Sequence, residues 1–176
     1  MRRAVDLLSD YAAYHRDRRN IVTHLVGVPM IVFAVCVLLS RPAFAVGTVF
    51  VSPVWAVLAL SSLWYLSRGA FALGLVTSAA MVLMVAAAER IAAGSTATWL
   101  GVGVGLFLVG WVIQFIGHHY EGRKPAFVDD IVGLMIGPYF VVAEIMFAAG
   151  WNKPLLAEIE RRVGPTHLRD ISAVRP

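Results

Sequence analysis

Residues 20–40 read NIVTHLVGVPMIVFAVCVLLS, 21 positions without an Asp, Glu, Lys or Arg. A helix of that length rises about 30 Å, the thickness of a bilayer's hydrocarbon core. Outward from it, residues 42–67, 69–88 and 91–120 are equally free of charge. The pattern predicts transmembrane helices at about 21–40, 44–66, 70–89 and 99–117. A fifth apolar stretch, 131–150, is interrupted by Gly137-Pro138 and carries Glu144; it reads as a broken or re-entrant pair of short helices, with a full fifth span as the alternative. Asp130 stands where an N-cap for that segment belongs. Ahead of the first run, Val5, Leu7, Leu8, Tyr11 and Ala12 recur at helical spacing against Arg2, Arg3, Asp6 and Asp10, as in an amphipathic helix lying on a membrane surface. The expected fold class is all-α: a polytopic membrane helix bundle of four transmembrane helices plus the broken fifth segment. It forms one integral membrane domain, with an interfacial helix at 1–19, the bundle at 20–150 and a polar cytoplasmic tail at 151–176.

Composition agrees. Hydrophobic residues are 59% of the 176 and charged ones 15%, with mean hydropathy +0.75. No water-soluble fold of this size hides so much apolar surface, which excludes a soluble globular enzyme and a disordered chain. The net charge of +4 does not imply nucleic acid, because the cations sit between apolar runs and there set orientation. Arg2, Arg3, Arg16, Arg18, Arg19, Arg68, Arg123 and Lys124 flank one side; only Arg41 and Arg90 flank the other. The amino terminus is therefore expected in the cytoplasm. Lys153, Arg161, Arg162, Arg169 and Arg175 place the tail there too, and an even number of crossings satisfies both ends. Cys36 is the single cysteine, so no disulfide framework or thiolate cluster can form within the chain. Nucleophile-elbow and phosphate-loop motifs are missing. Gly101 with Gly105, and Gly133 with Gly137, have the spacing of close helix contacts.

Four of the five histidines stand at the cytoplasmic ends of apolar runs: His15 and His24 around the entrance to the first, His118 and His119 at the exit of the fourth. Nine residues of continuous helix would put His15 and His24 on opposite faces, so they converge only if the chain breaks between them. Residues 16–20, ending in Asn20 as an N-cap, offer that break. Gln114, His118 and Glu121 are spaced i, i+4, i+7 and share a helix face. A single interfacial histidine is ordinarily a hydrogen-bonding residue; the set, drawn from both halves of the chain to one depth, favours a site. Two histidines and a carboxylate suit non-haem Fe(II), and three histidines also suit zinc. His167 lies in the polar tail and is given no role.

The run Tyr11-x3-His15-x4-Asn20-x3-His24-x2-Gly27-x-Pro29, followed by Gln114-Phe115-Ile116-Gly117-His118-x-x-Glu121-Gly122-x-Lys124-Pro125-Ala126-Phe127-x-x-Asp130, resembles the membrane 2-hydroxy fatty acid dioxygenase family over about residues 5–150. The resemblance implies an enzyme of a bacterial inner membrane or an endoplasmic reticulum that needs Fe(II) and O₂ and shortens a long-chain 2-hydroxy fatty acid by one carbon, the α-oxidation reaction. It implies His15, His24 and His118 as iron ligands, with Glu121 completing or orienting the catalytic set. Asn20, Gln114 and His119 would support the ligands or add to them, and Arg123 and Lys124 would attract the substrate's carboxylate. The acyl chain would lie near Val26, Val28, Ile113 and Phe115, and membrane lipid would be a further partner. A homo-oligomer is compatible with the sequence.

Two other readings stay open: a membrane zinc hydrolase acting on a lipid, and a small non-enzymatic transporter. A di-iron desaturase needs more histidines than the five present. Transport would place polar residues at broken helices near mid-bilayer, whereas these cluster at one interface.

Overall fold

The elements follow in the order α1 (Ala4–Ala12), α2 (Arg18–Ser40), β1 (Phe44–Val46), β2 (Val49–Val51), α3 (Pro53–Leu66), α4 (Phe71–Ala92), α5 (Thr96–Glu121), α6 (Gly133–Ala148) and α7 (Lys153–Val163). This computed structural model describes residues 2–125 and 132–171; Asp130, read above as an N-cap, lies outside them. Helices α2, α4 and α5, of 23, 22 and 26 residues, are long and apolar enough to cross a membrane. The pair α6 and α7 would make a fourth if counted as one span, but the two are bent by 118°.

The chain forms two compact units, one of residues 1–28 and 112–176 and the other of residues 29–111. In the second unit the expected helix at 44–66 is not continuous. Residues 44–51 form a hairpin pairing Phe44 with Val51, Ala45 with Phe50 and Val46 with Val49. The physical reason is local: β-branched and aromatic residues flank Gly47, whose φ of +63° closes the turn, and Ser52-Pro53 ends the strand and starts α3. At 14 residues, α3 rises only about 21 Å. It packs on α4, where Gly74 lets the helix approach the Tyr65 carbonyl so closely that a Cβ would collide with it. A close contact on the N-terminal half of α5 is made by Gly103 against Leu38; a Cβ at Gly101 or Gly105, the expected pair, would meet nothing within 4 Å among the described residues. The Trp99 indole donates to the Val37 carbonyl (2.8 Å) and Trp55 to Glu89 (2.9 Å).

In the first unit α1 does not present its apolar face outward. Leu7, Leu8, Tyr11 and Ala12 are buried, and the helix packs against α6 and α7, with Arg162 bonded to Asp6 at 2.9 Å. Helix α6 runs through Pro138 without a break, forgoing one backbone N–H; Gly137 there faces the Tyr11 hydroxyl. The break comes later, where Gly150 and Asn152 take positive φ and the Asn152 side chain caps α7 by accepting from Leu155. The interruption expected at Gly137-Pro138 therefore falls more than ten residues downstream.

Candidate metal centre

Helix α1 ends at Ala12 and α2 begins at Arg18, so the chain does break between His15 and His24. Asp17, not Asn20, caps α2: its Oδ1 accepts from the Arg19 N–H (2.8 Å) and its carbonyl from Ile21 (3.1 Å). Asn20 lies one turn inside, fully buried, donating through Nδ2 to the Tyr14 carbonyl and to Glu121 Oε2, each at 3.1 Å.

The His15 ring stacks on Tyr11 at 4.2 Å between centroids and bonds through Nδ1 to the Tyr11 carbonyl at 2.6 Å. One turn into α2, His24 Nδ1 bonds to the Asn20 carbonyl at 2.9 Å. A carbonyl oxygen can only accept, so both Nδ1 atoms carry the proton and, in the neutral rings, both Nε2 atoms present bare lone pairs. Those Nε2 atoms face each other at 3.0 Å. Two lone pairs at that separation repel unless a proton or a cation lies between them. Burial opposes the proton: it is the main reason, ahead of the neighbouring His24, that the His15 imidazole titrates well below the ordinary histidine range.

His118 completes the group from the end of α5, its ring centroid 5.1 Å from that of His15 and 5.0 Å from that of His24. Its Nδ1 is buried without a hydrogen-bond partner. One ring nitrogen from each histidine lies within 4.8 Å of the other two. Nitrogens held about 2.1 Å from one divalent ion at a right angle stand about 3.0 Å apart, which is the His15–His24 spacing. The donor set, the tautomers of His15 and His24 and the spacing of those two rings fit a metal.

Glu121 is buried on the same face as His118, but its oxygens are occupied. They accept from the backbone N–H groups of Arg16 (3.1 Å) and Asp17 (2.9 Å) and from Asn20 Nδ2. Gln114 is also buried and donates through Nε2 to the Thr23 carbonyl over a long 3.4 Å. His119 is exposed and packs edge-on to Tyr120, away from the three rings. Arg123 is exposed and bonds to the Ala13 carbonyl at 2.8 Å, and Lys124 is exposed as well. Of the residues placed near the acyl chain, Val28 is buried, whereas Val26 and Phe115 are half exposed. Glu144, half buried on α6, faces the charge of Arg16.

Three features went unread in the sequence. Gly117 packs against Asn20 and Thr23 so closely that a Cβ would overlap both, and so sets how near α2 and α5 approach beside His24 and His118. Asp17 is fully buried and paired with Arg19, which chiefly pushes its carboxyl down to about 2; an aspartate three residues ahead of a charge-free run was a readable signal. The polar tail, finally, docks onto residues 16–19.

The model of the Mpo1-like family, described as 2-hydroxy-palmitic acid dioxygenase Mpo1-like, matches residues 1–149. The chain belongs to this family. It is 31% identical over 157 residues to the 2-hydroxy-palmitic acid dioxygenase MPO1 of Saccharomyces cerevisiae, covering 87% of this chain and 85% of that protein. No solved structure matches it. The three histidines, Asn20 and Glu121 all lie inside the Mpo1-like region, and the docked tail lies beyond it.

Proposed function

We propose that the chain is an Fe(II)-dependent dioxygenase that shortens long-chain 2-hydroxy fatty acids by one carbon in the membrane. The observation that carries the reading is the convergence of three buried imidazoles, one ring nitrogen each of His15, His24 and His118 within 4.8 Å of the others, with the Nε2 atoms of His15 and His24 opposed at 3.0 Å. His15, His24 and His118 would hold the Fe(II), which would supply the means to bind a chelating hydroxy acid and to activate O₂. The overall change is R–CH(OH)–COOH + O₂ → R–COOH + CO₂ + H₂O. The substrate supplies all four electrons that reduce O₂, so no separate reductant enters.

The chain's own residues do the rest. Tyr11 and Asn20 fix the tautomers through their carbonyls, so each Nε2 faces inward as a donor. Glu121 holds the backbone next to His15 and is a positioning residue in this reading. Arg123 and Lys124, exposed at the end of α5, draw the substrate carboxylate towards the site. The apolar flanks of α2 and α5 leave the acyl chain in lipid. The excess of Arg and Lys beside these elements supports a site at the cytoplasmic face.

The test is elemental analysis of detergent-purified protein, followed by oxygen uptake with a long-chain 2-hydroxy acid. Iron near one per chain is expected, with uptake that His118→Ala abolishes while the protein still inserts. Full activity in that variant would overturn the assignment. Zinc without oxygen uptake would turn the reading to a hydrolase, since three histidines serve zinc equally well.

A further inference from the structure

Residues 164–169 run across the segment that carries His15. His167 pairs in parallel with Asp17: its N–H donates to the Arg16 carbonyl and its carbonyl accepts from the Arg18 N–H, both at 2.9 Å. On either side of that pair, Arg16 Nη1 donates to the Gly164 carbonyl (2.9 Å) and the Arg169 N–H donates to Asp17 Oδ2 (2.8 Å). Arg19 Nη2 donates back to the Arg169 carbonyl at 2.6 Å. The Arg169 guanidinium lies where a Cβ on Gly122 would be, and Gly122 itself has φ of +69°, so only glycine serves at this point directly after Glu121.

The arrangement has a mechanical consequence. Residues 13–17 belong to no helix, and a short connection of that kind does not hold a ligand in place by itself. Glu121 grips its N–H groups from one side. The tail grips the carbonyl of Arg16, the N–H of Arg18 and the carboxylate of Asp17 from the other. These bonds join residues about 150 positions apart, so they are tertiary restraints.

We propose that residues 164–169 are a strap that positions His15, so that metal retention in this chain depends on a segment beyond the residues that the family model matches. The proposal rests on the metal-centre reading, and its test separates the two. Two variants are compared with the full chain in detergent: one ending at Val163, and His167→Pro, which removes the N–H that meets the Arg16 carbonyl. Leu168→Ala, a substitution of an outward-facing side chain, is the control.

The first readout is hydrogen exchange of the Arg16, Asp17 and Arg18 amides in metal-free protein. The second is Co(II) binding, with the Co(II) absorption spectrum reporting the number of imidazoles. Both strap variants are expected to exchange these amides at least about tenfold faster. They should also bind Co(II) about 10–100-fold more weakly, with a spectrum showing fewer nitrogen donors, while far-UV dichroism and the control match the parent. Unchanged exchange in both variants would overturn the strap, whatever the metal result. Faster exchange with an unaltered Co(II) spectrum and affinity would also overturn it, because the strap would then be structural only. If the parent chain binds no Co(II), the metal-centre reading fails and so does this inference, even should exchange rise.

Discussion

Gly117→Ala separates two opposing effects whose sizes are both known. In an exposed helix interior, replacing glycine with alanine stabilises by about 1 kcal/mol. At Gly117 the new methyl would stand 2.5 Å from Asn20 Oδ1, and it would overlap the Thr23 hydroxyl as well. Ordinary carbon–oxygen contacts begin at about 3.3 Å, so α2 and α5 must part by about 1 Å or the two side chains must turn away. Turning costs hydrogen bonds: Thr23 donates to the Asn20 carbonyl at 2.7 Å, and Asn20 to both Tyr14 and Glu121. At about 1 kcal/mol per bond, or about 1–3 kcal/mol for overpacking, the strain exceeds the propensity gain. A shift of that size also moves His24 relative to His118, and metal sites tolerate only about 0.2 Å. Metal affinity should fall about 10–100-fold, measured by competition with a chromophoric chelator, and the melting temperature in detergent should drop. Gly101→Ala and Gly105→Ala, with open space around them, should leave affinity unchanged and stability equal or higher. A Gly117→Ala protein that behaves like those two controls would refute the claim that this crossing sets the site.

Glu121→Gln should leave a buried backbone N–H of Arg16 or Asp17 without an acceptor, at about 1–3 kcal/mol, and weaken metal binding. Once loaded, its Co(II) spectrum should match the parent's; a lost donor would make Glu121 a ligand instead. Acid should release the metal and lower stability from about pH 6.5 downward. The folded chain holds His15 unprotonated below the pH at which the unfolded chain takes up its proton, so the unfolded state binds more protons in that window. Asp17, held at about 2, adds a second loss that begins only below about pH 4, where its unfolded carboxyl protonates. Melting curves that show no change from pH 8 to pH 4 would contradict the His15 assignment, and curves that show none from pH 4 to pH 2 the Asp17 assignment.

The long helices were legible because charge is absent over whole intervals, a signal that survives any detail of packing. The hairpin at 44–51 was not: Phe44, Val46, Val49 and Val51 are as apolar as a helix segment, and only the positive φ of Gly47 separates the two conformations. The apolar face of α1 was legible too, but what covers it was not, since α6 and α7 lie more than 120 residues away and an amphipathic pattern names no partner.

The site itself shows where periodicity stops being informative. Gln114, His118 and Glu121 do share one buried face, as the i, i+4, i+7 spacing requires. Sharing a face is not sharing a height: each residue along the axis adds about 1.5 Å, so Glu121 lies about 4.5 Å beyond His118. His118 is level with the His15 and His24 rings, whereas Glu121 is level with the backbone of Arg16 and Asp17. The same spacing that suggested one ligand set therefore delivers a ligand and a clasp. The clasp matters because His15 belongs to no helix. A histidine on a connecting segment can be brought to His24 only when other groups hold that segment, and no pattern within residues 11–24 announces which groups those are.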